Sequence, residues 1–139
     1  MTQKKLVYFI YAPETKRVKI GISNKPEERI KDLQNNSGAE LVLLKCLKGG
    51  KTLEERLHHR FDNYRQYGEW FKCDDEMTVW IKLYGHLIDY IQLDIKNESE
   101  LKHKLTKVSK ELPLVSFCLP RRTIRKIVNN LIQFYSDCK

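Results

Sequence analysis

A phenol and an amine share one face of an N-terminal hairpin. Leu6-Val7-Tyr8-Phe9-Ile10-Tyr11 and Val18-Lys19-Ile20-Gly21-Ile22-Ser23 read as strands, and Pro13-Glu14-Thr15-Lys16 supplies turn chemistry between them. If Tyr11 pairs with Val18, Tyr8 lies across from Gly21 and Lys19 is its diagonal neighbour. A glycine opposite a tyrosine leaves space beside the phenol. A nearby ammonium would lower the phenol pKa from about 10, which suits a tyrosine that takes a proton from water. The alternative is an ordinary strand tyrosine with a solvated lysine. The same register turns Val7, Phe9, Tyr11, Val18, Ile20 and Ile22 to one face, read as the core face, and leaves Tyr8, Ile10, Lys19, Gly21 and Ser23 on the other.

The surrounding pattern supplies elements to hold this face. Pro26 suits a first helical position, Glu27 and Glu28 suit the positive end of a helix dipole, Ile30 and Leu33 form a buried stripe, and Asn35-Asn36-Ser37-Gly38 ends the helix. Residues 40–47 read as a third strand, with Lys48-Gly49-Gly50 as its exit. Thr52-Leu53-Glu54-Glu55 has the capping-box form, which gives Glu55 a structural task and separates it from Glu54. The helix begun there buries Leu53, Leu57, Phe61 and Tyr64 and ends near Gln66-Tyr67-Gly68. Glu54 and His58 stand four residues apart on one of its faces. A longer helix over about 74–95 follows, marked by Met77, Trp80, Ile81, Tyr84, Leu87, Ile88 and Ile91.

Tyr8-Phe9-Ile10, nine further residues, Ile20-Gly21, and Arg29 eight residues past the glycine resemble the core of the GIY-YIG nucleases. Glu54-Glu55-Arg56-Leu57-His58-His59-Arg60-Phe61 and Gly68-Glu69-Trp70-Phe71 are similar to a phage- and fungus-associated subfamily often described only as a DNA-binding domain. The resemblance covers about Leu6 to Phe71. It implies an α+β fold with a small, three-stranded, mainly antiparallel sheet flanked by helices. It also implies a metal-dependent endonuclease that hydrolyses DNA phosphodiester bonds, with RNA left open as a substrate.

The resemblance makes Tyr8 the general base or water-positioning group, Arg29 the stabiliser of phosphate charge, and Glu54 the ligand of one Mg²⁺ or Mn²⁺ ion. A planar guanidinium at the edge of a helix can hold a phosphate bidentately, and a lone carboxylate with waters and substrate oxygens is how a hard cation is usually bound. The structural alternatives are a surface ion pair for Arg29 and a first-turn dipole residue for Glu54. His58 joins the site as a group that orients water or phosphate, whereas His59 should face solvent. Glu69, Trp70 and Phe71 read as packing and capping residues. Lys19 stands where the family's second motif has tyrosine, and Val7 with its predecessor replaces the first Gly-Ile. Lysine still suits polarising the phenol or touching phosphate. A second reading follows from the same substitution: a DNA-binding module that keeps the fold without turnover.

With 139 residues the chain suits one domain plus an appendage, expected as 1–95 and 96–139. Of the net charge of +8, residues 96–139 carry 10 Lys+Arg against 4 Asp+Glu, a net of +6. A localised basic surface of that kind suits a phosphate polymer. Residues 96–110 read as a linker or loose helix, Val115-Ser116-Phe117-Cys118-Leu119 as a short strand, and residues 121–135 as a basic amphipathic helix. Strand and helix resemble the first half of a ribbon-helix-helix protein, which implies a homodimer reading DNA. Arg121, Arg122, Arg125 and Lys126 are its candidate nucleic-acid contacts. The alternative is a helix that packs through Ile124, Ile127, Val128, Leu131 and Ile132. Cys46, Cys73, Cys118 and Cys138 form no C-x-x-C pair, so a structural zinc site has no support and reduced thiols are expected. No apolar stretch reaches the roughly 18 residues of a membrane span and no signal-like run follows the N-terminus, so a cytoplasmic or nuclear protein without a membrane partner is expected.

Overall fold

Alternating apolar residues in the first 23 positions form the hairpin on which the rest of the N-terminal half assembles. The computed structural model describes residues 5–92, 97–109 and 120–137, and the chain divides into two compact units, Met1–Cys73 and Asp74–Lys139. In the first unit β1 (Leu6–Ala12) and β2 (Arg17–Ser23) pair antiparallel with Tyr11 opposite Val18 and Tyr8 opposite Gly21, the register supposed from the sequence. Helix α1 (Pro26–Ser37) follows, then β3 (Val42–Lys48), α2 (Gly50–Arg60), a 3-10 turn over Asp62–Tyr64, β4 (Arg65–Tyr67) and β5 (Trp70–Lys72).

The sheet has five strands in the order β3-β1-β2-β5-β4, every pair antiparallel. This corrects the expected three. Strands β4 and β5 are three residues each, too short for alternation to reveal; β4 occupies the stretch read as a helix end, and β5 begins at the residues read as packing and capping groups after it. Gly68, at φ +53°, turns the chain between them, a conformation that favours glycine.

Both faces of β1 are buried. Val7 and Phe9 are enclosed on the expected core face, yet Tyr8, Ile10 and Ala12 form a second core with Leu41, joined by Ile30 and Leu33 of α1 and by Leu43, Cys46 and Trp70. The face read as polar is therefore covered, because the apolar stripe of α1 packs there. Pro26 opens α1 as expected, and Gly38, at φ +69°, closes it with its N–H donated to the Gln34 carbonyl at 2.8 Å.

The capping box at Thr52 is not formed. Gly49 and Gly50, at φ +153° and +58°, turn the chain early enough for α2 to begin at Gly50, and the Gly49 carbonyl accepts the Leu53 N–H at 3.4 Å. Thr52 thus lies inside the first turn, and no side chain caps this helix.

The second unit contains α3 (Asp75–Gln92), α4 (Glu98–Ser109) and α5 (Arg121–Asp137). The Asp74 carboxylate accepts the Met77 N–H at 2.8 Å, and Asn97 Oδ1 accepts N–H groups of Ser99 and Glu100, so side chains cap α3 and α4. The stretch read as a linker or loose helix is helical over α4, where Leu101 and Leu105 are buried. The Trp80 and Tyr84 rings stack at 5.2 Å, and Phe134 of α5 meets both edge-on. This shared core places α3 with the later helices, so the units divide at 73/74, upstream of the 95/96 boundary expected from charge. The strand expected at Val115–Leu119 lies outside the described residues.

Candidate active site

Strand pairing fixes the first part of the site. Tyr8 is 2 % exposed, and its ring lies over Gly21, where an added Cβ would collide with the phenol oxygen and Cζ and would stand 3.1 Å from Glu69 Oε2. The space that glycine leaves is therefore filled by the Tyr8 ring itself. Arg29, on the exposed side of α1, hydrogen-bonds the phenol through its guanidinium.

Lys19 is close by but differently engaged. Its ammonium donates to Glu69 Oε2 at 2.9 Å and lies 5.7 Å from the centre of the Trp70 ring. Burial raises the Tyr8 pKa above its ordinary value, opposed first by the hydrogen bond from Arg29, while the carboxylates of Glu69 and Glu54 push it further up. The depressed phenol expected from an ammonium neighbour is not what the structure gives. Desolvation outweighs the cations, and the lowering charge belongs to Arg29.

Glu54 sits on α2 with only 8 % exposure, and its Oε2 has no hydrogen-bond partner. Burial, and next the Glu69 carboxylate, raise its pKa, while His58 and Lys51 act in the opposite direction. A buried carboxylate oxygen without a donor fits a cation as its missing partner. Among the described residues no three His, Cys, Asp or Glu side chains group as a metal cage. The Glu54 carboxylate offers oxygen donors, the kind a hard divalent cation takes.

His58 is half-buried and packs on Phe71, with ring centres 5.3 Å apart. Its Nε2 is 2.7 Å from the Ile20 carbonyl. A carbonyl only accepts, so Nε2 carries a hydrogen, and Nδ1 is the ring nitrogen left for water or phosphate. His59 faces solvent as expected.

Tyr8, Lys19, Arg29, Glu54 and His58 thus all lie in the first unit. Glu69 joins them, although its sequence context reads as packing. The signal for it was the glycine before it, which marks a tight turn able to return a side chain to the sheet. Arg121, Arg122, Arg125 and Lys126 lie in the second unit on α5, their side chains exposed opposite the buried Ile124, Ile127, Val128, Leu131 and Phe134. The apolar stripe of α5 is covered by α3 and α4 within that unit.

Fold and site define a small α+β domain in which an antiparallel sheet supplies a phenol and an amine, and the flanking helices a guanidinium, a carboxylate and an imidazole. The chain belongs to the T5orf172 domain family, whose model matches residues 5–87. This is a phage-associated domain related to endonuclease-like folds and often nuclease-like or DNA-binding in character. No curated protein and no solved structure matches the chain. Among the described residues no helix is long and apolar enough to cross a membrane.

Proposed function

We propose that the protein is a metal-dependent endonuclease of the GIY-YIG type that hydrolyses phosphodiester bonds in DNA. The observation that carries this reading is the buried, partnerless Oε2 of Glu54 in the same unit as the Tyr8–Arg29 hydrogen bond. Glu54 would hold one Mg²⁺ or Mn²⁺, which when bound supplies positive charge to the phosphate oxygens and the leaving oxygen. Arg29, exposed at the edge of α1, receives a phosphate oxygen as negative charge builds. Tyr8 orients the attacking water and takes its proton as the Arg29 hydrogen bond supports the phenolate. His58, held to the Ile20 carbonyl, offers Nδ1 to water or phosphate. Exposed cations on α5 add attraction for the DNA backbone that does not depend on sequence.

The raised Tyr8 pKa and the Lys19–Glu69 pair favour a second reading, a DNA-binding module without turnover. Supercoiled plasmid incubated with Mg²⁺, with Mn²⁺ and with a chelator separates the two. Nicked or linear product only with metal is expected. Retarded but intact plasmid under every condition would establish the binding module instead.

A further inference from the structure

Glu69 has a placement that packing alone does not require. Gly68 reverses the chain at φ +53°, and the Glu69 carbonyl then accepts the Ile20 N–H at 3.1 Å. That bond fixes the Glu69 backbone beside β2, next to Lys19 and Gly21. Its side chain, 40 % exposed, accepts the Lys19 ammonium at 2.9 Å, whereas the Lys19 side chain is only 12 % exposed. The same Oε2 stands 3.1 Å from the Cβ position of Gly21, which the Tyr8 phenol also overlies. Carboxylate and phenol therefore meet over one glycine, and the carboxylate holds the Lys19 ammonium.

A lysine has four flexible methylene groups and a strongly hydrated head, so an unheld ammonium would extend into water. Glu69 also raises the cost of negative charge on both Tyr8 and Glu54. A carboxylate there opposes its neighbours unless its task is to hold the cation. We infer that Glu69 is a positioning residue that holds the Lys19 ammonium at the polar edge of the site, where the amine meets the reacting phosphate. The inference rests on the nuclease reading for its catalytic consequence but not for the ion pair itself.

Two measurements on the full chain test it. In proton–nitrogen spectra of the lysine ammonium groups at low temperature, a held Lys19 gives a slowly exchanging signal, assigned by its loss in Lys19→Met. That signal should vanish in Glu69→Gln while the melting temperature stays near wild type. No such signal in the wild type, or its persistence in Glu69→Gln, overturns the holding role. In plasmid cleavage with Mg²⁺, Glu69→Gln should lower kcat by about 10- to 100-fold with KM unchanged or lower, since a negative charge near the DNA is removed. In the Lys19→Met background the same change should have almost no further effect. Equal losses in both backgrounds, or no loss in either, overturn the catalytic consequence. If the wild type cleaves nothing, the nuclease reading fails, and the ammonium spectrum alone decides whether Glu69 holds Lys19.

Discussion

The ionisation of two buried groups governs what the site does at a given pH. Tyr8 starts from an ordinary value of about 10 and is raised by burial, so its phenolate fraction grows throughout the neutral and mildly alkaline range. Cleavage should therefore climb from pH 7 to pH 9 without a plateau, about tenfold per unit where Tyr8 is the sole base. Tyr8→Phe should flatten that climb, and an unchanged profile would remove Tyr8 from the mechanism. Glu54 behaves oppositely in stability. Its folded pKa is raised, so the stability it contributes is fully present below the ordinary carboxylate pKa and is lost as pH rises through the folded value. Above that value the metal-free protein holds a buried carboxylate whose Oε2 has no hydrogen-bond partner. Glu54→Gln should then raise the metal-free Tm at pH 7 by about 4 °C, corresponding to roughly 1 kcal/mol, and the gain should disappear near pH 4. Mg²⁺ should raise the Tm of the wild type and not that of the variant. Cleavage by Glu54→Gln should fall by about 10²-fold or more with DNA binding retained, and full activity would reduce Glu54 to a structural residue.

Among the elements, the β4–β5 hairpin is the one that alternation in the sequence did not reveal. Its two strands have three residues each, and the hairpin joins the sheet through β5, whose partner β2 lies some fifty positions earlier. Local pattern holds no record of such a partner. Gly68→Ala places a Cβ at φ +53° and should cost about 1 kcal/mol. Because Gly68 sets the direction of Glu69, cleavage should fall further than stability, whereas Gly68→Asn should be milder, as asparagine tolerates this conformation. Equal activity in Gly68→Ala and wild type would detach the hairpin from the site. The faces of the first hairpin were legible in its alternation, and the register supposed there, Tyr11 opposite Val18 with Tyr8 opposite Gly21, is the one the strands adopt. The helix start at Gly50 was misplaced because Thr52 and Glu55 imitate a cap that two glycines pre-empt. Glu69 escaped notice because its charge partner Lys19 is fifty residues away.

At the scale of the whole molecule the first unit holds the candidate chemistry, and the second carries a row of cations on α5. Arg121, Arg122, Arg125 and Lys126 are exposed on α5, so changing all four to Gln should leave the helix intact. DNA affinity should drop and become less sensitive to salt, the slope of log K against log salt shrinking by about 0.9 for each phosphate that is no longer neutralised. Cleavage at saturating DNA should persist. A wild-type slope in the quadruple variant would place the DNA grip entirely in the first unit. Truncation after residue 95 is a poorer test, because it strips α4 and α5 from α3 and bares the Trp80 and Tyr84 rings that Phe134 covers.

That aromatic stack has an optical consequence. The chain has two tryptophans: Trp70 beside the Lys19 ammonium in the first unit and Trp80 stacked on Tyr84 in the second. Each unit thus carries one tryptophan. With Trp80→Phe the remaining tryptophan emission reports on the first unit, and with Trp70→Phe it reports on the helical unit. Melting the two single-tryptophan proteins side by side would show whether the units lose structure at one temperature or at two, with no label attached. Emission from Trp70 should in addition respond to any nucleic acid that draws Lys19 away from its ring.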